Sequence, residues 1–256
     1  VVGLCLVVAL GLVIGVNFAN DYSDGVRGTD DHRVGPQRLV GSGAAAPGRV
    51  RAAAFCCFGV SGLAGLAAVA ATGHWWLLAV GVACVLAAWF YTGGRHPYGY
   101  LGLGEVFVLI FFGLVATAGT DYLLCGRVSA AGWVAAVAMG LTADGVLVTN
   151  NLRDIASDTA AGKRTLETRL GDRASRLLYA GLVVAVAVCC VLVAALSTWW
   201  ALLGLLGVAL LVPAARTILG GAVGLRLVST LRSTSMGELV LSLGLLAGVA
   251  VARLTA

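Results

Sequence analysis

The chain has 256 residues, of which 60% are hydrophobic and 11% charged, with a formal net charge of +5 and a strongly positive mean hydropathy. A soluble domain carries about 25% charged residues, so a water-soluble globule is excluded. A membrane-spanning helix takes ~20 apolar residues, and the apolar runs suffice for about eight, leaving no room for a separate soluble domain of ordinary size.

Barrel strands would show ~10-residue alternating segments, whereas these runs are long and continuous. They predict an all-α polytopic transmembrane bundle forming a single domain over 1–256. In chain order the spans fall at 1–20, 50–72, 74–92, 105–124, 130–150, 174–196, 198–219 and 236–254. The first starts at Val1 without Met or a basic flank and ends in a polar motif, so it is not read as a signal peptide. The chain is expected to be an N-terminally incomplete version of a longer protein. The connections at 21–49, 93–104, 151–173 and 220–235 are long and polar, and all fall on one side of the membrane.

With helix ends included, that side holds every one of the 17 Lys and Arg residues except Arg127 and Arg253. The positive-inside rule therefore puts the long loops in the cytoplasm and the C-terminus outside. The same juxtamembrane arginines account for a pI near 9.0 without nucleic acid as a partner. Seven Cys without a CxxC and only three His argue against a zinc, haem or iron–sulfur centre.

Acidic residues number only 12, and their placement is informative. Asn20-Asp21-Tyr22-Ser23-Asp24 closes the first span, and Asn150-Asn151-Leu152-Arg153-Asp154 with Asp158 closes the fifth. Asn20, Asp24 and Gly28 recur 130 positions on as Asn150, Asp154 and Asp158. Four helices separate the copies, so both face the same side and the chain divides into two pseudo-repeated four-helix halves, 1–124 and 130–256. Residues three or four apart share a helix face, which pairs Asp21 with Asp24 and Asp154 with Asp158. Two facing pairs of carboxylates repel unless a divalent cation lies between them. Mg²⁺ is commonly held by a few carboxylates plus substrate phosphates, so the pattern suggests a diphosphate clamped between metal ions. Arg27, Arg33, Arg38, Arg95, Lys163 and Arg164 are candidates to neutralise the remaining phosphate charge. Asp144, inside the fifth span, is a further intramembrane acid. The glycine runs 59–65, 204–207 and 220–224 read as sites of close helix approach or as a slot for an apolar tail, close packing being the commoner use.

Asn20-Asp21-x-x-Asp24-x-x-x-Gly28-x-Asp30 and Asn150-Asn151-Leu152-Arg153-Asp154-x-x-x-Asp158, continued by Gly162-Lys163-Arg164-Thr165-Leu166, resemble the motifs of the UbiA-type intramembrane prenyltransferases. The loop Tyr91-Thr92-Gly93-Gly94-x-x-Pro97-x-Gly99-Tyr100-x-Gly102-x-Gly104-Glu105 resembles the branch that prenylates 1,4-dihydroxy-2-naphthoate. The resemblance covers essentially the whole chain. It departs at Gly28, where many members carry a third Asp, and in the family's first helix of nine, which has no counterpart here.

The resemblance implies transfer of a polyprenyl group from polyprenyl diphosphate to 1,4-dihydroxy-2-naphthoate. Loss of CO₂ and diphosphate would give demethylmenaquinol for menaquinone synthesis in the bacterial cell membrane. It implies Asp21, Asp24, Asp154 and Asp158 as catalytic ligands of Mg²⁺ or another divalent cation. The substrate-binding set would be Asn20, Arg27, Asp30, Tyr91, Arg95, Tyr100, Glu105, Asn150, Asn151, Lys163 and Arg164, with Tyr22, Tyr91 and Tyr100 offering π faces to an allylic cation. The prenyl tail would lie against membrane lipid. Another aromatic acceptor is the nearest alternative. A cation-coupled transporter would account for the repeat and Asp144, but not for carboxylates gathered at one face beside Arg and Lys.

Overall fold

The computed structural model describes residues 1–29 and 37–255. Asp30 and Arg33 lie outside the described residues. Those described form nine helices and no strand: α1 Val2–Arg27, α2 Pro47–Thr72, α3 Leu77–Phe90, α4 Gly104–Cys125, α5 Ala130–Ala160, α6 Leu166–Leu170, α7 Asp172–Leu196, α8 Trp199–Leu219 and α9 Leu225–Thr255. Seven of them are long and apolar enough to cross a membrane. The exceptions are the five-residue α6 and the 14-residue α3, which falls on the third predicted span. At ~1.5 Å per residue α3 covers only about 21 Å, so it is shorter than the apolar run that encodes it.

The two motif-bearing helices do the opposite and outrun their apolar stretches. α1 has 26 residues and α5 has 31, hence ~39 and ~46 Å against a hydrocarbon core of ~30 Å. Helices of that length can carry their last turns beyond the lipid, and those turns hold the Asp and Asn residues of the two motifs, whereas Asp144 lies deep within α5. α1 stops because Gly28 adopts φ 74°, a left-handed cap that lets the Thr29 N–H reach the Asp24 carbonyl at 3.1 Å. The copy in α5 has Asp158 at the matching position and stays helical to Ala160.

The largest core lies among α5, α7, α8 and α9, built on Val148, Tyr179, Val186, Cys190, Leu211, Ile218 and Leu241. A smaller one joins Ala19 of α1, Ala54 and Phe58 of α2 and Ala88 of α3. Across α4 and α5, Gly113 and Gly140 bring the two backbones together: a Cβ at Gly113 would lie 2.6 Å from the Ala136 carbonyl oxygen. Leu109–Ala118 within α4 is π-helical. At the cytoplasmic end of the expected topology, Arg176 of α7 donates to the carbonyls of Ile218 and Ala222 and forks the Asp172 carboxylate. That ties α7 to the loop after α8. At the opposite end lie exposed Trp75, Trp76, Trp133, Trp199 and Trp200, an interfacial aromatic belt.

Candidate active site

A cavity of about 140 Å³ lies between the C-terminal turns of α1 and α5. α1 contributes Asn17, Asn20 and Asp24, with Thr29 just beyond its cap; α5 contributes Leu147, Asn150, Asn151, Asp154, Ser157 and Asp158. Each set follows the i, i+3/i+4, i+7 spacing of one helix face. Arg38, Tyr91, Thr92 and Lys163 complete the wall. The two motifs, 130 residues apart, thus meet across one space.

The loop after α3 is fastened over this cavity by hydrogen bonds to α1. Thr92 Oγ1 donates to Asn20 Oδ1 at 2.8 Å, and the Tyr100 hydroxyl donates to Asp24 Oδ1 at 2.8 Å. The Arg27 guanidinium donates to the carbonyls of Thr92 and Gly94. The Tyr100 ring is covered by two cations, Arg27 at 5.3 Å and Lys163 at 5.1 Å. Burial, reinforced by the Asp24 charge, pushes the Tyr100 phenol up to about 12, so it remains a donor at any physiological pH. Tyr91, deeper in the wall, is displaced upward chiefly by burial and then by Glu105. Lys163 is folded back by its N–H to the Asp158 carbonyl at 2.8 Å, which leaves Nζ 3.8 Å from Asp158 Oδ1. Asp154 is forked by its neighbour Arg153, at 2.7 Å from Nε and 2.6 Å from Nη2.

Of the residues singled out in the sequence, Asn20, Asp24, Arg38, Tyr91, Asn150, Asn151, Asp154, Asp158 and Lys163 line the cavity, and Tyr100 and Arg27 hold its roof. Arg95 and Arg164 are exposed and outside its lining. Glu105 lies behind the wall, where its Oε1 accepts from Asn151 Nδ2 at 3.3 Å. Asp21 is also absent from the lining: its carboxylate accepts the backbone N–H groups of Leu39 and Val40 at 2.8 and 2.9 Å. Asp144 is 4% exposed, with no donor on its Oδ1 among the described residues.

Asn17, Thr29, Leu147 and Ser157 were not singled out by the motifs, and Thr92 stood in the loop motif without a role. Helical spacing from Asn20 and Asp154 reaches Asn17, Leu147 and Ser157, but nothing local gives Thr92 its role, because its partner is 72 residues away. Fully buried Glu167 was missed as well. Among the described residues neither of its carboxylate oxygens has a donor in good hydrogen-bond geometry, although Glu105 and Asn151 stand beside it. Burial and the adjacent Glu105 carboxylate push its acid well above the usual range.

Among the described residues no three of His, Cys, Asp and Glu are gathered tightly enough to bind a metal alone. The cavity nevertheless offers only hard oxygen donors for one, from Asp24, Asp154, Asp158, Asn20 and Asn150. Those fit Mg²⁺, which is bound through one or two carboxylates with substrate phosphates completing its shell. Beside these acids stand Lys163 and Arg38, so the same space suits an anion as well as a cation.

Residues 1–223 match the UbiA prenyltransferase family. The chain is 48% identical over 252 residues to a 1,4-dihydroxy-2-naphthoate octaprenyltransferase of Mycobacterium tuberculosis, covering 98% of this chain and 86% of that protein. It is 51% identical over 237 residues to the Mycobacterium leprae protein of the same name, covering 93% and 80%. The Escherichia coli protein of that name is 37% identical over 254 residues, covering 96% and 82%.

Proposed function

Because the chain belongs to the UbiA prenyltransferase family, we propose that it transfers a polyprenyl group from polyprenyl diphosphate to 1,4-dihydroxy-2-naphthoate, a step of menaquinone biosynthesis. The observation that carries this reading is the meeting of Asp24, Asp154, Asp158 and Lys163 around one cavity. The names and high identities of the relatives support the choice of acceptor.

Divalent-cation dependence is general in this family, and Asp24, Asp154 and Asp158, with Asn20 and Asn150, are the residues that would hold the ion. A cation bound there supplies charge neutralisation to the diphosphate as it departs. Tyr100, by donating to Asp24 Oδ1, orients that carboxylate. Lys163 and Arg38 place positive charge beside the leaving group. When the allylic C–O bond breaks, its electron pair leaves with the diphosphate, and the Tyr91 ring stands in the wall to face the carbocation. The ring carbon bearing the acceptor's carboxylate then forms the new C–C bond. Loss of that carboxylate as CO₂ returns the electron pair to the ring.

The protein is integral to the membrane, as its seven long apolar helices require. We place the cavity on the cytoplasmic side and the C-terminus outside, because the long basic loops share the cavity's end of the bundle. The test is product formation by the purified protein in detergent with Mg²⁺, a polyprenyl diphosphate and dihydroxynaphthoate. Prenylated naphthol with CO₂ release is expected, and Asp24→Ala or Asp154→Ala should abolish it without unfolding the protein. Product only from a hydroxybenzoate would overturn the acceptor assignment, and retained turnover in both variants would overturn the site.

A further inference from the structure

Asp21 is the acid of the first motif that does not line the cavity, and its partners show what it does instead. The segment 37–46 turns on itself: the N–H groups of Ser42, Ala45 and Gly43 donate to the carbonyls of Arg38, Leu39 and Val40. That internal set leaves the N–H groups of Leu39 and Val40 to be satisfied from elsewhere, since backbone donors are rarely left unpaired. Asp21 satisfies both, one with each carboxylate oxygen, at 2.8 and 2.9 Å, from a position only 5% exposed.

A second contact, independent of any charge, holds the same turn. One helical turn on from Asp21, Gly25 leaves a hollow filled by Val40. A Cβ at Gly25 would lie 2.5 Å from Val40 Cγ1 and 3.1 Å from the Gly41 nitrogen. Positions i and i+4 share a face, so α1 presents a carboxylate and a bare backbone side by side to one turn of chain. The residue immediately before the two captured amides is Arg38, and it lines the cavity.

We propose that Asp21 and Gly25 are positioning residues that dock the turn at 37–46 on α1 so that Arg38 reaches the diphosphate of the prenyl donor, and that Asp21 does this in place of ligating a cation. The proposal rests on the diphosphate reading of the cavity. It separates two roles within one acidic motif: Asp24 faces the ligand, and Asp21 faces the loop that brings the Arg38 guanidinium to the ligand.

The experiment compares wild type, Asp21→Ala, Asp21→Asn, Gly25→Ala, Arg38→Ala and the Asp21→Ala/Arg38→Ala double variant, all as the full chain in detergent. Two quantities are read: binding of inorganic diphosphate by calorimetry in the presence of Mg²⁺, and the steady-state kinetics of prenyl transfer. Losing one charge-assisted contact weakens binding roughly tenfold to a hundredfold, so Asp21→Ala, Gly25→Ala and Arg38→Ala should each weaken diphosphate binding and raise the donor KM on that scale. The Mg²⁺ concentration giving half-maximal activity should not move. The double variant should be no worse than Arg38→Ala alone, because the two residues act through one contact.

Multiplying effects in the double variant, or a raised Mg²⁺ requirement in Asp21→Ala, would overturn the proposal and return Asp21 to the metal site. Gly25→Ala removes no polar group and introduces a better helix former. If Asp21→Ala fails to fold, unchanged diphosphate binding in Gly25→Ala overturns the proposal by itself. Diphosphate binding requires no acceptor, so wild type that binds diphosphate but prenylates no naphthoate refutes the proposed function while leaving this test decided by the binding arm.

Discussion

Asp21 and Asp24 stand three residues apart in one motif, and the helical spacing that pairs them also pairs Asn20 with Asp24. Residue spacing offers no way to choose; the partners at Leu39, Val40, Thr92 and Tyr100 do. Tyr100→Phe removes the hydrogen bond to Asp24 Oδ1 while keeping the ring beneath Arg27 and Lys163. A roughly tenfold fall in kcat with unchanged thermal stability is expected, on the scale of a hydrogen bond to a charged group; an unchanged kcat would show that Asp24 needs no orienting. Glu167 supports a prediction of opposite kind. Its folded-state acid is raised by burial and by Glu105, so the folded protein holds its proton more tightly than the unfolded chain does. The stability this contributes is complete below the ordinary carboxylate range and is lost as pH rises through the raised value. Thermal unfolding of wild type should therefore fall more steeply than that of Glu167→Gln between about pH 5 and pH 9. Parallel curves would mean that the charge on Glu167 is compensated in the fold.

Helix existence was legible because each apolar run is long and continuous, whereas helix ends were not. α1 and α5 pass beyond the apolar stretches that encode them, since an aqueous interface accepts Asn and Asp in helical geometry. α3 falls short of its run, with Tyr91 and Thr92 drawn into the cavity wall. The glycine runs separate in the same way. Gly207 lies against the backbone of α9, where an added Cβ would be 2.4 Å from the Leu241 nitrogen, and Gly244 would meet the Leu203 carbonyl oxygen at 2.4 Å. Gly59 and Gly62 have nothing within 4 Å of such a Cβ. Composition makes these glycines alike, but only the first pair mediates close backbone approach. Gly244→Val should lower stability by about 1–3 kcal/mol through overpacking, measured by thermal unfolding in detergent. Gly62→Val should be nearly neutral, and equal losses in the two would contradict the crossing of α8 and α9.

Across the whole molecule, basic loops and exposed tryptophans sort to opposite ends. Exposed tryptophans gather at the starts of α3, α5 and α8, while the basic loops share the end that holds the cavity. An impermeant maleimide should label a variant retaining only Cys125 in intact cells. It should label a cysteine-free background carrying Ser42→Cys only in inverted vesicles; the reverse pattern would overturn the assigned orientation. The amino-acid sequence by itself determined the membrane class, the apolar runs that become helices, the charge asymmetry and the repeated Asn/Asp pattern. These depend on hydropathy and local period, which the chain carries without folding. Only the tertiary structure decided which carboxylates share a space, because side chains 130 residues apart meet through helix packing. It also gave Asp21 to a loop, Glu105 to Asn151 and Thr92 to Asn20, since those contacts depend on how the chain returns to α1 and α5 after each crossing.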